Sequence, residues 1–338
     1  MAEQYLPLGK LPPELLASII SRAPIDDDRV ILGPGIGFDC AVVDVGPNLL
    51  VMKSDPITFA TDEIGWYAVQ VNANDIATTG AAPRWFMATV LLPEGGTTEE
   101  LVHRVSDQLF EACRDLGISM IGGHTEVTYG LDRPLVIGTM IGEVEHSKLV
   151  TPRGASSGDH VLLTKGIPIE ATAILAREFP DRLRSVLDAE ELLLAADFLH
   201  NPGISVSRDA QIACSAGRVT AMHDPTEGGL AAAIWEMAEA SGLSFCIVID
   251  RVHIPALSGK ICKVFDMDPL GAIASGALLL TAPPQDGALI QKALHAAGIP
   301  CTAIGWIEDG PAAVWELRGA DRVPLQRPAR DEITKAYE

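Results

Sequence analysis

The 338-residue sequence contains no Cys-x-x-Cys pair, and its six cysteines, at positions 40, 113, 214, 246, 262 and 301, are widely dispersed. That argues against a zinc site and suits buried, reduced thiols in a large apolar chain. Basic residues are scarce. With 25 against 45 acidic ones the net charge is −20, which argues against a nucleic-acid partner, since phosphate backbones need a basic surface. The same balance leaves room for a phosphorylated small ligand, because a metal ion can bridge carboxylate to phosphate. No uncharged apolar run approaches the ~18 residues of a membrane span, and the first ten residues lack an apolar signal core. The expectation is a cytoplasmic protein with no membrane partner.

Two glycine-rich nucleotide fingerprints are also missing. The stretch Gly33-Pro34-Gly35-Ile36-Gly37-Phe38-Asp39 is spaced G-x-G-x-G and leads into an apolar run, 41–45, that reads as β. A dinucleotide fingerprint would be spaced G-x-G-x-x-G and open a helix, and a P-loop would carry Gly-Lys-Ser/Thr. This loop instead enters a strand and presents a carboxylate, which points to metal chemistry.

What is present is an alternation of helical and strand patterns. Strands are predicted at 41–45, 49–53, 84–92, 119–121 and 135–143, with helices at 63–79 and 99–116. Thr97 and Glu100 form a candidate capping box for the second helix. Residues 146–159, rich in Gly, Ser and Pro, read as a linker. Beyond it lie strands at 160–164, 245–249, 277–280 and 302–307 and a helix at 228–240. The prediction is an α/β protein of two α/β domains, 1–148 and 149–338, with 48% hydrophobic residues to fill their cores.

Four aspartates stand out. Asp39 follows the glycine loop, and Asp55 ends the apolar run 49–55, at the strand edge where α/β sheets bind ligands. Asp75 shares a helix face with Asn72 and Thr79, beside apolar Val69, Val71, Ile76 and Ala77, so the helix reads as largely buried and an unpaired carboxylate there would be costly. Asp224 precedes Pro225-Thr226-Glu227 and a predicted helix. Plainer readings stand beside each: a turn residue for Asp39, a strand-end turn for Asp55 before Pro56, a solvated helix face for Asp75, and a helix cap for Asp224. Read together, the four describe a hard-oxygen Mg²⁺ and phosphate site.

The motifs Gly35-Ile36-Gly37-Phe38-Asp39-Cys40-Ala41, Lys53-Ser54-Asp55-Pro56, Asn74-Asp75-Ile76-Ala77-Thr78-Thr79-Gly80-Ala81, Gly122-Gly123-His124-Thr125 and Asp224-Pro225-Thr226-Glu227-Gly228-Gly229-Leu230 occur in one order along the chain. In that order they resemble the aminoimidazole-ribonucleotide synthetase superfamily, which includes the hydrogenase maturation factor HypE, selenophosphate synthetase and thiamine-monophosphate kinase. The resemblance implies an enzyme that transfers phosphate from ATP to activate an oxygen of a small or carbamoyl-type acceptor. It implies a homodimer built through the N-terminal domain, with the C-terminal domain closing an ATP cleft. By motif match, Asp39, Asp55, Asp75 and Asp224 would hold Mg²⁺; Asp75, Asp224 and Lys53 would be catalytic. Gly35, Gly37, Lys10, Asn74, Gly123 and Thr125 would contact the nucleotide. A maturation-factor protein is a further partner the resemblance implies.

The chain also departs from the HypE pattern. Glu227 stands where that pattern has Arg, and His124 where it usually has Asp. The cysteine-ended tail of HypE has no counterpart in 330–338, since Cys301 is the last cysteine. A HypE-like protein with a different acceptor is therefore expected. A kinase resembling thiamine-monophosphate kinase, or a non-catalytic nucleotide-binding scaffold, are the alternatives. Asn201, His223 and Ser275 are candidate acceptor contacts.

Overall fold

A computed structural model describes residues 6, 11–35, 37–58, 62–319 and 321–338. Two compact units emerge: Asp27–Gly33 with Asp39–Leu149, and Pro34–Phe38 with Val150–Glu338 and the residues up to Asp26. No helix among the described residues is long and apolar enough to cross a membrane.

The short helix α1 (Pro13–Ile20) precedes the first unit, which runs β1 (Val30–Leu32), β2 (Ala41–Asp44), β3 (Leu49–Ile57), α2 (Ile64–Thr78), β4 (Ala82–Pro93), α3 (Glu99–Asp115), β5 (Ser119–Thr128) and β6 (Leu135–Val144). Its six strands form one sheet in the order β1-β2-β3-β6-β4-β5. Only β4 and β5 pair in parallel, and α3 is the crossover that such a pair requires. Period-2 burial is clean on β6: Val136, Gly138, Met140, Gly142 and Val144 are buried while their neighbours are half-exposed. Helix α2 packs on the buried face. A Cβ at Gly138 would stand 2.4 Å from Asn72 Nδ2, and one at Gly142 2.4 Å from Ile76 Cγ2. Asn72 and Ile76 are i, i+4 on one helical stripe, so two bare positions on a strand receive one row of a helix.

The second unit contains β7 (His160–Thr164), α4 (Ile169–Glu178), α5 (Pro180–Leu183), α6 (Ala189–Ala196), α7 (Ser207–Ala216), β8 (Ala221–His223), α8 (Gly229–Ser241), β9 (Ser244–Val248), α9 (Ala256–Val264), β10 (Leu279–Ala282), α10 (Pro284–Ala296), β11 (Cys301–Glu308), β12 (Ala313–Arg318) and β13 (Asp321–Pro324). Its seven-stranded sheet has the order β13-β12-β9-β11-β7-β10-β8, and is mixed because β9 and β12 are parallel. One core joins this sheet to α8 through Leu230, Ile234, Phe245 and Ile304. A second gathers α4, α9 and the 3₁₀ turn Glu332–Tyr337 around Leu175, Phe265 and Ile333.

Several local expectations are corrected. The 119–121 strand continues to Thr128, and that of 49–53 to Ile57. Asp55 therefore lies inside β3. Pro56 is tolerated there because β2 pairs only as far as Met52, which leaves β3 an edge on that side. The N-cap of α3 is Thr98, which accepts from Leu101, whereas Thr97 bonds back to the Pro93 carbonyl. Cys214 is exposed while the other five thiols are buried.

Candidate functional site

Helix α2 is buried around nearly its whole circumference, including Asn72, Asn74, Asp75 and Thr78. Few helices bury so many polar groups, and each must be satisfied locally. Thr78 Oγ1 donates to the Asp75 carbonyl at 2.7 Å, and the buried Cys40 thiol donates to the same oxygen at 3.2 Å. Asn72 Nδ2 donates to the Ala68 carbonyl at 2.8 Å and reaches the Asp55 carbonyl of β3 at 3.4 Å. Cys40 thus anchors the segment bearing Asp39 to the helix bearing Asp75, and Asn72 anchors that helix to the strand bearing Asp55.

Lys53 is the centre of this arrangement. Its Nζ lies 3.1 Å from Asp75 Oδ2 and 3.9 Å from Asp55 Oδ2. Burial alone would push the ammonium's pKa down, but the charges of Asp75, Asp55 and Asp39 outweigh it and hold the pKa well above the usual lysine value. Three carboxylates around one ammonium leave a local excess of negative charge in a largely buried place. Hard oxygen donors with excess negative charge are the set that Mg²⁺ takes, so the residues present fit that ion.

Asn74 is buried on α2. Gly123 and Thr125 lie on the exposed edge strand β5. Gly123 has a backbone reason to be glycine, since a Cβ there would stand 2.1 Å from the Ala88 carbonyl oxygen on β4. His124 is exposed and lies 3.0 Å from Glu126. Gly35 and Gly37 belong to the second unit: a Cβ at Gly35 would meet the Phe38 ring at 2.3 Å, and Gly37 holds φ +72° beside the Glu236 carbonyl. Lys10 lies outside the described residues.

Asp224 is buried on the loop between β8 and α8. It caps no helix. Helix α8 begins at Gly229 behind Gly228, whose φ is +80°, with no side-chain cap. The capping-box reading fails because the two glycines turn the chain once more before the helix starts. His223, also buried, places Nε2 2.7 Å from Glu236 Oε2 and Nδ1 4.0 Å from Asp224 Oδ1. Of the other acceptor candidates, Asn201 is exposed and Ser275 buried.

Sequence reading missed Glu170, at the start of α4. It is buried, and burial raises its pKa to about 8; hydrogen bonds from Ser275 pull down, and the charges of Glu227 and Asp331 push up. In sequence it looks like an ordinary acid in a helix's first turn, and only the packing of Ile169 and Ala171 beside it hinted otherwise.

Two mixed α/β units, one with a partly buried lysine held among carboxylates and the other with an acidic loop ahead of a helix, define the class of protein as a two-unit α/β fold with a charged cluster on the first sheet. The family described as AIR synthase related protein matches with its N-terminal domain over residues 37–144 and its C-terminal domain over 156–316. The chain belongs to this family. It is 30% identical over 277 residues to carbamoyl dehydratase HypE of Cupriavidus necator, covering 77% of this chain and 74% of that protein. It is 29% identical over 283 residues to selenide, water dikinase of Nitratidesulfovibrio vulgaris, covering 79% and 73%. A crystal structure of hydrogenase maturation protein HypE in complex with ATP superposes with a TM-score of 0.71 at 23% identity, covering 91% and 92%.

Proposed function

We propose that the chain is a Mg²⁺-dependent, ATP-using enzyme that transfers the terminal phosphate of ATP to an oxygen of a small or carbamoyl-type acceptor. A phosphorus–oxygen bond to the acceptor forms as the bond to the ADP leaving group breaks. The observation that carries this reading is the Lys53 cluster, with Asp75 and Asp55 as close partners and Asp39 adding its charge. It lies in the unit matched by the family's N-terminal domain. ATP binding by a structurally similar HypE and the enzyme names of both relatives agree with it.

In this reading Asp39, Asp55 and Asp75 hold the metal, and Asp224 enters through its motif alone. A metal bound there would neutralise charge on the transferring phosphate. Lys53 supplies a fixed positive charge that the surrounding carboxylates keep protonated. No side chain needs to act as a nucleophile, so catalysis rests on position and charge. The test is whether ATP affinity depends on Mg²⁺ through Asp75; metal-independent binding would remove the assignment.

We further propose a homodimer through the first unit. Its sheet ends in a ten-residue edge strand, β5, on which Ile121 and Val127 are exposed. Half-exposed Trp85, Met87, Leu91, Ile137 and Ile141 line the sheet face opposite α2. An uncovered apolar edge and face call for a partner.

A further inference from the structure

The loop bearing Asp224 and Glu227 is held by a residue a hundred positions further along the chain. Asp331 Oδ2 accepts from the Gly228 amide at 2.6 Å. Its Oδ1 accepts from the Ile273 amide at 3.2 Å and from the Ile333 amide at 2.7 Å. One carboxylate thus ties three stretches of backbone together. The residues beside it repeat the tie: the Glu332 amide donates to the Gly271 carbonyl, and its carboxylate accepts from the Asp268 amide at 2.8 Å.

The far end of this segment is anchored too. Ile333 and Ala336 are buried in the core around Phe265. Arg182 donates to the Ala336 carbonyl at 3.0 Å while its guanidinium lies 4.1 Å from the centre of the Phe265 ring. The segment 331–336 lies beyond residue 316, where the match to the family's C-terminal domain stops, while its partners lie within the match.

A plainer account is that Asp331 caps its own 3₁₀ turn, and its bond to Ile333 does so. A cap explains one oxygen and leaves the bond to Gly228 unexplained. The Gly228-Gly229 turn packs closely on residues 270–272, since a Cβ at Gly229 would stand 2.5 Å from the Ala272 carbonyl oxygen. The Ala231 amide donates to the Leu270 carbonyl at 2.9 Å. Asp331 spans both sides of that contact. Burial moves its pKa to about 6 despite three amide bonds, so its geometry is held against a desolvation cost.

We propose that Asp331 is a positioning residue that clamps the Gly228-Gly229 turn against 270–273 and thereby sets Asp224 and Glu227. The clamp rests on the geometry; its catalytic consequence rests on the ATP-dependent function proposed above. Hydrogen exchange on the full chain, comparing Asp331→Ala, Asp331→Asn and Ile333→Ala with the unaltered protein, tests it. In Asp331→Ala the amides of 226–230 should exchange about tenfold faster or more, the factor for losing a charge-assisted hydrogen bond. Those of β7 should be unchanged. Asp331→Asn, which keeps one acceptor oxygen and turns a donor on the other amide, should fall between. Ile333→Ala, which keeps the carboxylate, should leave 226–230 less exposed to exchange than Asp331→Ala does. ATP turnover by Asp331→Ala should fall by about tenfold or more, as misplacement of a reacting group predicts, at a temperature where the variant is still fully folded. Unaltered exchange at 226–230, or a rise spread evenly over β7, overturns the clamp. A loop effect in a protein whose unaltered form binds no ATP upholds the clamp and removes the proposed function instead.

Discussion

Glu170 shows what a single buried carboxyl does to the pH response of this protein. Its Oε2 has no hydrogen-bond partner among the described residues, and burial lifts its pKa from 4.5 to about 8. A folded-state pKa above the unfolded one means that the folded protein binds the proton more tightly. The resulting stabilisation is complete below pH 4.5 and is lost as pH rises through 8. A shift of this size corresponds to an upper figure of roughly 5 kcal/mol. Asp331, lifted from 3.8 to about 6, adds a smaller contribution of the same sign. Glu170→Gln keeps a neutral side chain at every pH. Urea midpoints measured at pH 6 and pH 9 should therefore fall clearly in the unaltered protein and much less in the variant. Equal falls would show that Glu170 is not the group that titrates.

At the scale of elements, the relation between α2 and β6 carries the first unit. Gly142 must stay bare because a Cβ there would meet Ile76 Cγ2 at 2.4 Å and the Ala82 carbonyl oxygen at 2.8 Å, and the backbone oxygen cannot swing away. Gly142→Ala should lower stability by about 1–3 kcal/mol, the range for overpacking a tight interface. Gly96→Ala, where the nearest side-chain atom is 3.7 Å away, serves as the control. A Gly142→Ala protein that melts with the unaltered chain would refute the tight packing. The sequence revealed α2, β4 and β6 through their periodicity, and Asp75's burial through the apolar residues around it. It could not reveal that β3 runs through Pro56, because a strand tolerates proline only where its neighbour has ended. It also could not show that Asp331 reaches Gly228, a pairing of distant backbone that no local pattern encodes. The alternative reading of Asp224 as a helix cap fails, since two adjacent glycines postpone the helix beyond the reach of a capping pattern.

For the molecule as a whole, the uncovered edge and face of the first unit predict self-association. Sedimentation at micromolar concentration should find a dimer, burying more than ~1,200 Å² in total as stable interfaces do; a monomer would remove the assignment. The strongly acidic chain, with net charge −20, gathers part of its charge around Lys53, and in the proposed function this cluster holds Mg²⁺ against ATP phosphate. Calorimetry of ATP binding, with Mg²⁺ and with a chelator, for the unaltered chain and for Asp75→Asn, tests this role. Asp55 and Asp39 remain beside Lys53 in the variant, so the lysine is not left without a counter-charge and folding should survive. ATP should bind the unaltered protein at least about tenfold more tightly with the metal, a difference of about 1.4 kcal/mol. Asp75→Asn should remove most of that difference while melting within a few degrees of the unaltered protein. Equal ATP affinity with and without Mg²⁺ in the unaltered chain would show that the Lys53 cluster does not hold Mg²⁺ against ATP.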